Sequence, residues 1–313
     1  MSHKVIMVDP ITLNKMKQHY QEYVQPKVPP GAVFTAKKNG STITAYKSGK
    51  VLFQGNASLA EAAIWGTLEQ KQKTTIKKHS KPATIFSPPK NISTLSIIGS
   101  DEVGTGDYFG PITVTAAYVR REQFELLKEL GVKDSKNLKD PQIISIAKDL
   151  IHTIPYSLLV LHNEKYNTLQ QSGMSQGKMK ALLHNQAIGH LKEKIGPEEP
   201  EAVLIDQFVD PAIYFKHLYG KSYTKENTYF STKAEGIHLA VAAASIIARY
   251  SFVKEFEKLS EKAGILLPKG AGSQVDIAAA KLMKKHGFET LRQFTKLHFA
   301  NTEKAKKLAK FEL

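Results

Sequence analysis

The chain has 313 residues, 44 Lys+Arg against 29 Asp+Glu for a formal net charge of +15, and no cysteine. The length predicts two domains, and the missing cysteine excludes disulfides, thiolate metal sites and cysteine nucleophiles. The positive surplus points to a polyanionic partner, nucleic acid or an anionic membrane; MSHKVIMVDP lacks a secretory apolar core and Ala240–Ala248 is too short to span a bilayer, so a cytosolic (cytoplasmic) protein is expected.

Asp9-Pro10 reads as a helix start, with Asp9 as N-cap and Pro10 at the first helical position. Ile11, Leu13, Met16, Tyr20 and Val24 continue a helical stripe. Short strand patterns follow at Ala32–Ala36, Thr42–Tyr46 and Val51–Gln54, separated by the hairpin signals Asn39-Gly40 and Ser48-Gly49. Leu59–Leu68 reads as a second helix capped by Ser58, and its Trp65 is expected in a core. Residues 1–69 therefore form a small α+β domain. Residues 70–94 lose periodicity and collect lysine and proline, the composition of a basic linker. Residues 1–94 hold fourteen lysines and four acids, so most of the charge surplus lies in this first third of the chain. That asymmetry predicts a binding module tethered to a more balanced domain at 95–313.

From Leu95 onward strand and helix patterns alternate, the mark of an α/β domain. Strands are expected at Ile97-Ile98 and onward, Ile112–Val119, Tyr156–Leu161, Ala202–Asp206 and Tyr229–Thr232. Helices are expected at Gln123–Leu130, Pro141–His152, Met179–Ile195, Ala212–Leu218 and His238–Lys262. After the glycine loop Lys269–Ser273 come helical segments near Val275–His286 and Glu289–Phe299, then a lysine-rich final helix.

The organising stretch is SIIGSDEVGTGDYFGP, residues 96–111. Adjacent side chains on a regular strand point to opposite faces, so Asp101 and Glu102 share one site only if the strand ends or bends there. The flanking glycines predict such a bend. Taken alone, the stretch also reads as a solvated turn. Asp206 is a third acid at a strand's C-terminal end, where open α/β sheets place their sites. Two further acids compete as a fourth: Asp210, which Pro211 also explains as a helix cap, and Glu235, which also suits a helix first turn. Carboxylates from separate elements suit two divalent metals in a phosphodiesterase. No GxxxxGK[ST] loop, HExxH or GxSxG motif is present.

The set DEVGTGDYFGP (101–111), DSKNL (134–138), LID (204–206), KAEGIHLAVAAASIIAR (233–249) and KGAGS (269–273) resembles the type 2 ribonuclease H family. The basic extension makes it most like the ribonuclease HIII branch. The resemblance implies a ribonuclease H-like mixed sheet flanked by helices, behind a TATA-binding-protein-like N-terminal domain. It further implies endonucleolytic cleavage of the RNA strand of RNA/DNA hybrids, leaving 5′-phosphate and 3′-hydroxyl ends, with two Mg2+ or Mn2+ ions expected with substrate. No protein partner or membrane is implied. Asp101, Glu102 and Asp206 are the carried-over metal ligands. Glu235 replaces the aspartate of the HII branch's KGD-type motif as fourth catalytic acid, with Asp210 as its rival. Gly104, Thr105 and Gly106 are candidates for sensing the ribose 2′-hydroxyl. Lys136 and Lys233 are candidates for phosphate contacts, each equally readable as a surface lysine, and Gly270 and Gly272 could form an anion-binding turn or a plain loop. Thr105 stands where the HII branch has arginine. A non-catalytic nucleic-acid-binding protein on the same fold is the alternative from another class; a junction resolvase or integrase is the alternative enzyme.

Overall fold

The computed structural model describes residues 3–29, 31–65, 84–133 and 138–311. Their contacts divide the chain into two units, Met1–Pro82 and Ala83–Leu313.

In the first unit, strand β1 (His3–Met7) precedes helix α1 (Pro10–His19). Asp9 caps that helix as expected, accepting from Thr12 N at 2.8 Å. Strands β2 (Ala32–Lys38), β3 (Ser41–Tyr46) and β4 (Lys50–Gly55) follow as a meander. Asn39 and Gly40 both take positive φ, 48° and 70°, the left-handed geometry of a tight hairpin. β1 is a strand the sequence reading lacks; it pairs with β4 and extends the antiparallel sheet to the order β1-β4-β3-β2. Helix α2 (Ser58–Ala63) begins at Ser58, so this serine lies inside the helix and Ala57 takes the cap position. Met16, Tyr20, Phe34, Ile43 and Phe53 form the core. Trp65 packs against it and donates from Nε1 to the Tyr20 hydroxyl at 2.9 Å, as a core residue should.

Residues 84–94, part of the linker by composition, belong to the second unit and pack into it. The Phe86 ring lies 5.2 Å from that of Phe215, the Phe86 carbonyl accepts from Phe230 N, and Ile92 is buried. The lysine-rich residues 70–83 lie outside the described residues.

The second unit contains β5 (Ile97–Val103), β6 (Ile112–Val119), α3 (Phe124–Glu129), α4 (Asp140–Thr153) and β7 (Tyr156–Leu161). Next come α5 (Asn163–Gln171), α6 (Gln176–Ile195), β8 (Ala202–Asp206), α7 (Pro211–His217) and β9 (Thr228–Ser231). The chain closes with α8 (Leu239–Ala263), α9 (Ser273–His286), α10 (Leu291–Phe294) and α11 (Asn301–Phe311). The expected helix over 289–299 is shorter, because Thr295 turns extended and bridges to Phe109.

The sheet order is β7-β6-β5-β8-β9. The pairs β7–β6 and β6–β5 are antiparallel, while β8 and β9 continue parallel to β5. Helices cover both faces, so the central strands read as near-continuous apolar runs; all eight residues of β6 are buried. Ile97 and Leu204 pack with α4 and α8 on one face, and Ile98 and Ile205 pack with α6 and α7 on the other. Burying each such side chain stabilises by roughly 1.5–3 kcal/mol. Gly99 sets the spacing on the α8 face: a Cβ there would run into the backbone of Ala240 and Val241. The run of alanines in α8 and this glycine let the helix lie close beneath the strand that carries the acids.

Candidate active site

β5 delivers two acids to its end. Its even–odd alternation continues through them, because β6 stays in register from Val119 opposite Ile97 to Thr113 opposite Val103. The strand therefore does not bend at the acids, and the two carboxylates leave it on opposite faces; β5 nonetheless ends one residue after Glu102, and the charge of Glu102 still acts on Asp101 across the strand end. Asp101 shares the α8 face with Ile97 and Gly99, and it is held by the Ser245 side chain of α8. Glu102 shares the α6 face with Ile98 and Ser100.

Asp206 ends β8. Two-residue alternation from Leu204 puts it on the α8 face with Asp101. Its Oδ1 accepts from Ala234 N at 2.8 Å, which pins the turn leading into α8. Glu235 is buried in that turn, within the 3-10 segment Ala234–Gly236. Lys233 immediately before it is exposed and left-handed, with φ 59° and ψ 39°. A non-glycine residue in that region stores local strain, a feature common at functional turns. Asp210 stands apart in role: it is exposed and caps α7, accepting from Ala212 N at 2.9 Å.

The electrostatics separate the two adjacent acids. Burial pushes the Asp101 carboxyl well above the usual carboxylate range, and the charges of Glu102 and Asp206 push the same way against the Ser245 hydrogen bond. Burial would also raise Glu102, but the His184 hydrogen bond and charge, with Lys180, overcome it and leave Glu102 lowered. Lys180 Nζ donates to Glu102 Oε1 at 2.8 Å, and His184 Nε2 donates to Oε2 at 3.0 Å. Among the described residues, no group of three or more His, Asp or Glu side chains stands arranged to hold a metal ion, consistent with Glu102 being engaged by α6. The donor set nonetheless fits a hard divalent cation, since carboxylate oxygens are its preferred ligands. Asp101 marks where unbalanced negative charge collects.

The first glycine loop sits beside this cluster. Gly104 has φ 94°, and a Cβ there would meet the Pro111 carbonyl and the Phe252 ring, so this position requires glycine. Gly106 faces open space. Thr105 is half-buried, and its carbonyl accepts from Gln176 Nε2 at 3.2 Å. Asp107 Oδ1 accepts from Gly270 N at 2.6 Å, joining this loop to the KGAGS loop. That bond gives Gly270 a structural task, while Gly272 lies in open space. Lys296 closes the base of the loop: its buried Nζ donates to the carbonyls of Asp107 and Gly110 at 2.8 and 2.6 Å. Burial pulls the Lys296 ammonium down to about 7, against the opposing charge of Asp107. Lys136 lies outside the described residues.

The sequence profile of the ribonuclease HII family matches residues 98–302, which contain all of these acids. Ribonuclease HIII of Bacillus subtilis (strain 168) is 64% identical over 310 residues, covering 99% of this chain and 98% of that protein. The chain belongs to the type 2 ribonuclease H family, in its ribonuclease HIII branch. It is an endoribonuclease, a hydrolase. Ribonuclease HIII of Bacillus pumilus (strain SAFR-032) is 65% identical over 309 residues, covering 98% of this chain and 99% of that protein. The crystal structure of Bst-RNase HIII in complex with Mn2+ is 47% identical, covers 99% of this chain and 100% of that chain, and superposes with a TM-score of 0.71. Residues 3–78 match a domain of unknown function (DUF3378). No helix among the described residues is long and apolar enough to cross a membrane.

Five side chains around the ribonuclease site escape the sequence reading: Lys180, His184, Ser245, Gln176 and Lys296. Lys180 and His184 carry a usable signal, two polar residues at i and i+4 within the buried stripe of Met179, Ala181, Ala187 and Leu191. Lys296 carries none, because a lysine in sequence reads as surface.

Proposed function

We propose that Asp101, Glu102, Asp206 and Glu235 form the catalytic centre, cutting the RNA strand of RNA/DNA hybrids to 5′-phosphate and 3′-hydroxyl ends. The observation that carries this reading is the pairing of Asp101 and Asp206 on one face of adjacent parallel strands, with Glu235 buried at the foot of α8. Asp101, Glu102 and Asp206 would hold divalent cations, Mg2+ or Mn2+, two with substrate, which when bound supply an activated water and neutralise charge at the leaving oxygen. The manganese complex of the 47% identical Bst-RNase HIII supports that expectation.

The chain's own groups do the rest. Asp206 fixes the Ala234 turn and so holds Glu235 at the site. Gly104 lets the loop backbone approach a ribose closely, and the Thr105 region is steadied from α6 by Gln176. Lys233, exposed two residues before Glu235, would meet a phosphate. The basic first unit would bind the duplex, and the lysine-rich residues 70–83 join it to the second unit. Hybrids arise where nucleic acids are copied, so the compartment is taken as the cytoplasm.

End-labelled RNA/DNA, DNA/DNA and RNA/RNA duplexes, and DNA with one embedded ribonucleotide, test this with and without Mg2+. The continuous hybrid should be cut efficiently and only with metal. The single ribonucleotide should be cut poorly, because Thr105 offers no charged fork for a junction phosphate. Cutting of DNA/DNA, or metal-independent cutting, would refute the reading; equal rates on the two ribonucleotide substrates would remove Thr105 from it.

A further inference from the structure

Glu102 places each carboxylate oxygen against a different basic side chain of α6, and the two are anchored differently. His184 is fully buried; its Nδ1 lies 2.7 Å from Ser100 Oγ, which itself donates to the Thr115 carbonyl. Phe208 stacks on the imidazole with ring centres 5.0 Å apart. The ring is thus fixed by the sheet on one edge and by an aromatic face on the other. Lys180 reaches the same carboxylate on a long stem. Its ammonium meets Glu102 Oε1 at 2.8 Å and the Phe208 ring face at 4.2 Å. Phe208 lies two residues beyond Asp206, so both contacts adjoin the acid cluster.

An ammonium on Oε1 stands where a divalent cation would have to bind that oxygen. We infer that Lys180 is the resident counter-cation of Glu102, surrendering Oε1 when metal binds, while His184 keeps Oε2 and fixes the carboxylate's aim. Both are positioning residues, and the inference rests on Glu102 being a metal ligand. When Oε1 is given up, the Phe208 face still offers the ammonium a favourable place. The two residues then act on metal affinity with opposite signs. Losing Lys180 removes a competing cation and a like charge, so metal binds more tightly. Losing His184 removes the orientation of a ligand, which ordinarily weakens metal binding. A merely structural pair would shift affinity in the same direction.

The test is calorimetric titration of Mn2+ into the full-length chain without nucleic acid, with folding checked by circular dichroism. Lys180→Met should bind Mn2+ about three- to tenfold more tightly, as expected for loss of one partly screened neighbouring charge. Lys180→Arg should stay near wild type, and His184→Gln should bind about tenfold more weakly. Unchanged or weaker binding by Lys180→Met overturns the inference; should that variant fail to fold, Lys180→Gln is read by the same criterion. Glu102→Gln distinguishes the deeper failure: if it binds Mn2+ as wild type does, Glu102 is no ligand, and the inference falls with that assignment.

Discussion

Asp101 and Glu102 are consecutive residues whose carboxylates lie on opposite faces of one strand, Asp101 against Ser245 of α8 and Glu102 against Lys180 and His184 of α6. The two helices treat their acids differently. α6 brings two basic partners that lower Glu102, whereas the α8 face supplies a hydroxyl and neighbouring anions and raises Asp101. A site built this way keeps one acid charged and aimed, and leaves the other destabilised until a cation joins it.

Asp101→Asn follows directly from that asymmetry. The folded pKa of Asp101 is raised, so its contribution to stability is full at low pH and is lost as pH rises through the folded value. In chelator at pH 8, Asp101→Asn should therefore melt higher than wild type, and the gap should close as pH falls toward 4. Added Mn2+ should raise the melting temperature of wild type but not of the variant, which should have lost cleavage. A variant that melts at or below wild type at pH 8 in chelator would contradict the raised pKa.

The limits of the sequence reading are physical. β5, β8 and α8 were legible because buried apolar runs and small-residue helices carry their own pattern. β1 was not, since HKVIM is short and its partner β4 is remote in sequence. α5 hid because NEKYNTLQQ offers only Tyr166 and Leu169 as apolar residues, too few for a stripe. The acids themselves were legible as types at strand ends, and the exposed cap at Asp210 agrees with its sequence explanation. Their faces are not: the glycines flanking Glu102 suggest a bend, but pairing with β6 runs past the acids to Val103. Nothing local announces that pairing.

The fourth acid can be decided by paired substitutions. Glu235 is buried at the base of α8, whereas Asp210 is exposed and already employed as a cap. Glu235→Gln should cut cleavage severely with little loss of hybrid binding. Asp210→Ala should cost about 1 kcal/mol of stability for the lost cap and leave cleavage near wild type. Rates at matched folded fraction check this, and the reverse ranking would reassign the fourth acid to Asp210.

His238 predicts acid sensitivity of the same helix. Its Nδ1 accepts from Ala240 N at the start of α8, and its Nε2–H donates to the Leu95 carbonyl. Burial pulls it down to about 4, although the Leu95 bond opposes this. The imidazole is thus neutral when folded, and its stabilisation is complete above about pH 6.5 and lost as pH falls toward 4. Between pH 7.5 and 4.5 that loss should be about 2–3 kcal/mol. Urea unfolding of wild type and His238→Asn measures it; an equal pH dependence in both would show that His238 is not the sensitive group.

The first unit should matter for binding more than for chemistry. Deleting residues 1–82 removes nine net positive charges and none of the candidate ligands, while leaving Phe86 and Ile92 to pack on the second unit. Fewer phosphate contacts release fewer counterions, so KM for the hybrid should rise and its salt dependence flatten while residual cutting persists. An unchanged KM and salt slope would show that this unit does not grip the duplex.

Asp206 has two tasks, since this one carboxylate both faces the site beside Asp101 and holds the turn that presents Glu235. Asp206→Asn keeps the shape and an acceptor oxygen for Ala234 N while removing the charge. The decisive measurement is the RNA-strand cleavage rate of this variant at saturating Mn2+, alongside its affinity for the same hybrid in chelator. The rate should fall about 100- to 1000-fold or more, the scale of removing one electrostatic element from a catalytic centre, while hybrid affinity is retained. Near-wild-type cleavage at saturating metal would contradict the assignment of this acid cluster as the catalytic centre.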